Sequence, residues 1–132
     1  MPATLNAERI LTELDFARLT SKNSRLTDAL QDVCESAHLV PSQEIPADVI
    51  TMYSQMEIVD LHSRRRQQLT LCYPRDADPG LGLISVLSPV GASLLGLTVG
   101  SVAQWRTPAG DACAAEVTAL LFQPEASGDY TT

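Results

Sequence analysis

Cys34 and His38 stand four residues apart. On a helix that spacing puts a thiol and an imidazole on one face, where they can hold a metal ion. Two ligands do not make a site, and the nearest further donor, Glu44, lies beyond Pro41. The pair is therefore read as a helix-end Cys and His without a ligand role. His62 is the only other histidine, and neither histidine has a nearby Ser or Cys with an orienting acid. Asp76 and Asp78 offer oxygen to a cation, but Asp, Pro and Gly are also what a loop needs for its turns, and they are read as loop residues. The run Arg64-Arg65-Arg66 suits phosphate or an acidic partner; in a turn it is read as a solvated edge. Cys34, Cys72 and Cys113 are odd in number, far apart and without a CxxC pair, as expected of reduced thiols in a cytosolic protein. There is no Gly-rich phosphate loop and no Ser-x-x-Lys pair. The expectation is a protein that is not an enzyme and has no catalytic residue, metal or cofactor.

The elements that would position these residues fall into two stretches. Between Ala3 and Val40 there is neither Pro nor Gly. Ile10, Leu14 and Ala17 keep helical spacing with Leu11 beside them, and Leu26, Leu30, Val33 and Ala37 repeat the stripe. The polar run Thr20 to Ser24 between them competes for backbone partners, and Ser24 is a candidate N-cap. Residues 7–38 are thus expected to form two helices of about 13 residues, each about 20 Å long, paired as an antiparallel hairpin over 1–40. Pro41 and Pro46 make 41–48 a linker.

From Val49 the period shortens. Val49–Met52, Glu57–Leu61, Gln68–Tyr73 and Leu83–Leu87 are expected strands, with a polar turn over 62–67. Ser88 then Pro89 announce a short helix to Leu95, since Ser is a favoured N-cap and Pro a favoured first helical residue; Gly96 stops it. Val102–Arg106 and Cys113–Phe122 are strands around a hairpin turn at 107–111, and 123–132 is a polar tail. Residues 49–132 are therefore an α+β domain, an antiparallel sheet with one short helix.

Composition narrows the function. The chain has 132 residues, 45% hydrophobic but only 5% aromatic, so its core must be aliphatic. The net charge is −7, with eight acids against four bases in 1–48 and eight against five in 49–132. Nucleic acids are held chiefly through Lys and Arg on phosphates, so independent nucleic-acid binding is not expected. Met1 to Asn6 lacks the pattern of a signal peptide, and no apolar run reaches membrane-spanning length. A cytoplasmic protein without a membrane partner is expected.

The run Val49–Met52, the run Leu71–Pro74 with Asp76-Ala77-Asp78, the run Ile84–Gly100 (ISVLSPVGASLLGLTVG) and the run Gln123–Tyr130 (QPEASGDY), with Ala7–Ile10, carry a resemblance over essentially the whole chain. They resemble the Rnk family, the regulators of nucleoside diphosphate kinase, which is similar to the bacterial transcript-cleavage factors of the GreA/GreB group. That resemblance implies a coiled-coil arm followed by a domain of the FKBP-like fold. It implies RNA polymerase as partner, at the β′ subunit near the secondary channel, with the chain acting as a monomer. In the cleavage factors an Asp-Ser-Pro loop before the short helix makes the contact. The matching positions are Leu87, Ser88 and Pro89, the acid being replaced by Leu87. Ser88, Pro89 and Gly91 are expected to face out, and Leu94, Leu95 and Leu97 to be core.

In the cleavage factors the arm is longer and its tip presents two acids that hold a catalytic magnesium. The tip here, with Thr20, Lys22, Asn23 and Arg25, has no acid, and Mg²⁺ needs oxygen ligands. Docking without transcript cleavage is the expectation; a Gre-like factor that stimulates cleavage is the alternative. The fold also suggests a prolyl isomerase, but such sites use a ring of aromatics. This domain has only Tyr53, Tyr73, Trp105, Phe122 and Tyr130, and a fold does not carry its activity with it.

Overall fold

The computed structural model of the chain describes residues 9–21 and 26–129. It is a mixed α+β structure with few helices and a curled sheet. β1 (Ile10–Thr12) pairs in parallel with β2 (His38–Val40), and between them lie α1 (Glu13–Leu19) and α2 (Asp28–Ser36). The helices are shorter than the apolar spacing predicts. Ile10–Thr12 is extended, not helical, because its partner strand lies beyond both helices; Thr12 then caps α1, its hydroxyl accepting from the Asp15 N–H at 3.0 Å. The cap of α2 is Thr27, which accepts from the Leu30 N–H at 3.3 Å; Ser24 lies outside the described residues.

The two stripes fare differently. In α2, Leu30, Val33 and Cys34 are buried, with Leu26 and Ala37 packed against the same cluster. In α1 the inward face carries Asp15 and Leu19, while Ala17 is exposed. With the helix starting at Glu13, the four-residue step from Leu11 leads to Asp15 and Leu19.

A five-stranded sheet follows: β3 (Gln55–Asp60), β4 (Arg66–Cys72), β5 (Leu83–Ser85), β6 (Val102–Arg106) and β7 (Ala112–Phe122), in the order β5-β4-β3-β7-β6. β4 and β5 run parallel and the other pairs antiparallel. Met56 and Ile58 of β3, Leu69 and Leu71 of β4, and Ala115 and Val117 of β7 turn to the core in the alternation of half-buried strands. Register shifts between β3 and β7 bend the sheet. The core is aliphatic, with Phe16, Tyr53, Tyr73 and Trp105 only partly buried at its margin. One cluster joins Leu19 and Leu30 to Met56, Leu71 and Leu95.

Val49–Met52 is not a strand. All four residues are buried, but their backbone bonds go to separate partners instead of one ladder. Ile50 exchanges bonds with Leu97 O (2.8 Å) and Gly96 N (2.9 Å), and Met52 N donates to the Asp15 carboxylate at 3.2 Å. Tyr53 then takes a φ of +64°, a left-handed turn rare for a side-chain-bearing residue. The tail is also not free. Gln123 donates to Pro46 O and Val49 O, both at 2.8 Å, and the Thr51 hydroxyl donates to the buried Glu125 carboxylate at 2.7 Å. The tail is polar because it satisfies the backbone and hydroxyls of a buried loop.

Candidate functional site

α3 (Pro89–Leu94) is the short helix expected from the sequence. The chain leaves β5 and turns at once, and Ser85 and Ser88 stitch the turn. Ser88 N and Ser88 Oγ both donate to Ser85 O, at 3.0 and 2.6 Å, and Leu87 N donates to Ser85 Oγ at 3.1 Å. Ser88 Oγ then accepts from Gly91 N at 3.0 Å, which completes the N-cap. Pro89 sits at the first helical position with its ring exposed, while Leu87 and Ser88 are half-buried. Leu94, Leu95 and Leu97 are core, as expected.

Gly91 does not face out. It is buried, and a Cβ placed on it would lie 2.0 Å from Ser85 O. Only glycine lets α3 lie this close to the end of β5, so Gly91 shapes the surface without presenting itself.

At the far end α3 stops at Gly96, whose φ is +82°. Arg9 closes that end, its guanidinium donating to Leu95 O at 2.9 Å and Ala92 O at 3.4 Å. A cation on terminal carbonyls complements the helix end. Burial pulls the pKa of this guanidinium down. Beside α3 lies a groove of about 770 Å³ between α2, α3 and β6, lined by Arg9, Asp32, Leu87, Pro89, Trp105 and Arg106. Of these, Leu87 and Pro89 were legible in the sequence. Trp105 and Arg106 were not; the available signal was the chain's single tryptophan beside an arginine on a strand.

The other candidates disperse. Thr20 is exposed at the end of α1, its N–H and hydroxyl both donating to Phe16 O; Lys22, Asn23 and Arg25 lie outside the described residues. Cys34 faces the core from α2, whereas His38 lies exposed on β2 after the helix has ended. Asp76 accepts from the Tyr53 hydroxyl and has Arg75 at 3.8 Å, and Asp78 opens the next turn. Arg64, Arg65 and Arg66 are exposed around the β3–β4 turn. There the Asp60 carboxylate accepts from Ser63 N and His62 N, both at 2.8 Å, and those bonds hold its pKa down. Among the described residues no group of three or more His, Cys, Asp or Glu converges on a metal position.

One polar cluster is internal and was not anticipated. Asp15 is 1% exposed, and its Oδ1 has no hydrogen-bond partner among the described residues. Burial, above all, drives its pKa up to about 6; Glu125 raises it further, while the Met52 N–H and Arg18 oppose the rise. The Tyr73 hydroxyl is likewise buried, its pKa pushed to about 12 by burial and then by Asp15, while Arg18 opposes the rise. The bond from Met52 N to Asp15 pins α1 to the loop that precedes β3.

The model for the domain described as "Transcription elongation factor, GreA/GreB, C-term" matches residues 45–121, which contain α3 and its entrance. The chain is similar to the regulator of nucleoside diphosphate kinase of Escherichia coli (strain K12), with 39% identity over 129 residues, covering 96% of this chain and 91% of that protein. It is similar to transcription elongation factor GreA of Chloroherpeton thalassium, with 30% identity over 105 residues, covering 80% of this chain and 64% of that one. Among solved structures it resembles the prokaryotic transcription elongation factor GreA/GreB from Nitrosomonas europaea, with a TM-score of 0.71 and 31% identity, covering 88% of this chain and 99% of that chain.

Proposed function

Because the chain belongs to the GreA/GreB transcription elongation factor family, we propose that it is a regulator that binds RNA polymerase without stimulating transcript cleavage. The observation that carries this reading is the match over 45–121, within which an exposed Pro89 and a half-buried Leu87 stand at a capped helix entrance. Leu87, Ser88 and Pro89 form the contact on the β′ subunit near the secondary channel. Gly91 acts beneath them by fixing the helix. The residues from Leu19 to Arg25 include no acid, so this stretch supplies no carboxylate to a magnesium ion. Likeness to a protein named for nucleoside diphosphate kinase makes the level of that enzyme the physiological output to follow.

The test is pull-down of core RNA polymerase with the full chain, alongside Pro89→Ala and Leu87→Lys. Capture by the wild type at micromolar concentration, weakened in both variants, supports the reading; no capture by the wild type overturns it. Stalled elongation complexes incubated with the protein should show no shortened RNA. Shortening would favour a cleavage-stimulating factor instead.

A further inference from the structure

Trp105 is the chain's single tryptophan and is half-buried on the edge strand β6. Its side chain walls three separate concavities. One is the groove of about 770 Å³ shared with Leu87 and Pro89. A second, of about 800 Å³, runs past the β3–β4 turn and the β6–β7 hairpin, with His62 and Cys113 in its walls. The third is a smaller hollow of about 230 Å³ between the sheet and α3, floored by Ile58, Leu69, Ile84 and Val90. Leu87 and Pro89 therefore border one hollow with the indole, and Val90, one residue further on, borders another. A large rigid side chain at the meeting point of several hollows is the arrangement found at the energetic centre of protein interfaces.

The charge around the indole departs from that of the chain. Overall there are 16 acids against 9 Lys and Arg. The three concavities hold Arg9, Arg65 and Arg106 against Asp32 and Asp60. The Asp60 carboxylate is already occupied by two backbone N–H groups. Arg9 donates to Ala92 O and Leu95 O at the end of α3, and Arg106 donates to Gly110 O at 3.1 Å, so among the described residues neither guanidinium is paired with a carboxylate. The neighbourhood of Trp105 is thus locally basic on an acidic molecule, with an apolar floor.

We propose that Trp105 anchors a docking site for an acidic segment of a protein partner, an aliphatic side chain of which seats beside the indole while its carboxylates meet Arg106 and Arg65. This rests on the reading above, because the site is continuous with Leu87 and Pro89, and it makes the polymerase contact a two-part surface. An acidic overall charge opposes such a partner at long range, so the local arginines act at contact distance, within about 10 Å.

The experiment measures affinity of the full chain for immobilised core RNA polymerase across a salt series, for wild type, Pro89→Ala, Trp105→Ala and Arg106→Glu. Circular dichroism melts accompany each variant. Trp105→Ala should bind about tenfold more weakly or worse. Arg106→Glu, at an exposed position, should bind a few-fold more weakly with a flatter salt dependence. If Trp105→Ala fails to fold, Arg106→Glu decides the matter alone. Wild-type binding that Pro89→Ala weakens, and that Trp105→Ala and Arg106→Glu leave unchanged, overturns the anchor while leaving the polymerase reading intact. Absence of wild-type binding overturns both.

Discussion

Asp15→Asn should stabilise this protein at neutral pH and leave it nearly unchanged in mild acid. Asp15 is 1% exposed, with Oδ2 accepting from Met52 N and Oδ1 unpartnered among the described residues. Its pKa rises from an ordinary 3.8 to about 6. A folded pKa above the unfolded one means that the folded state holds the proton more tightly. The stabilisation that follows is complete below pH ~3.8 and is lost as the pH climbs through ~6. A rise of about two units at ~1.4 kcal/mol each makes the ionised carboxylate about 3 kcal/mol costlier in the fold than the neutral acid. Asparagine keeps an oxygen for Met52 N and carries no charge to desolvate.

The assay is urea denaturation of wild type and Asp15→Asn at pH 4, 6 and 7.5, comparing midpoints at constant slope. The two proteins should nearly coincide at pH 4. The variant should lead by up to about 3 kcal/mol at pH 7.5, or roughly 10 °C in Tm. A gap that stays constant across this window would refute the reasoning, since it would mean that Asp15 does not titrate there. A variant less stable than wild type at pH 7.5 would show that the attraction of Arg18 outweighs desolvation.

Three further outcomes follow from the geometry. Gly91→Ala should lower stability by about 3 kcal/mol or more, because its Cβ meets Ser85 O at 2.0 Å and backbone must move; a melt within 2–3 °C of wild type contradicts this. Ser88→Ala should cost about 1–2 kcal/mol by removing the cap to Gly91 N and the bond to Ser85 O, measured by thermal melting. Thr51→Val should cost about 2–3 kcal/mol, since it leaves the buried Glu125 carboxylate without its hydroxyl donor; hydrogen exchange should then speed up at residues 125–129, whose turn depends on that anchor.

What was legible in the sequence was local. Ser88, Pro89 and Gly96 announce α3 because capping and stopping depend on neighbours in the chain, and β6 has the expected bounds, Val102–Arg106, beside the turn at 107–111. What was not legible depends on partners far away. Ile10–Thr12 becomes a strand only because His38–Val40 lies beside it. Gln123 and Glu125 read as a polar tail and Asp15 carries no signal in the sequence, yet each is buried and bonds an N–H, carbonyl or hydroxyl of the 46–52 segment. In the candidate site, Leu87 and Pro89 could be picked out by type and order, whereas Trp105 joins them only through the crossing of α3 over β6.

These long-range bonds bear on where the proposed docking surface gets its shape. The matched domain spans 45–121, but several groups that hold its loop lie outside that span. Asp15 bonds Met52 N, Glu125 takes the Thr51 hydroxyl, Gln123 takes Val49 O, and Arg9 takes the last carbonyls of α3. The same loop meets α3 directly, since Ile50 exchanges backbone bonds with Gly96 and Leu97. The pose of Leu87 and Pro89 is thus set by Gly91 on one side of α3 and, on the other, by Arg9 and by the loop that Asp15, Gln123 and Glu125 hold. A surface held this way is pre-organised, which reduces the ordering cost of binding. It also ties that surface to the charge of a single carboxylate, Asp15, in the first turn of α1.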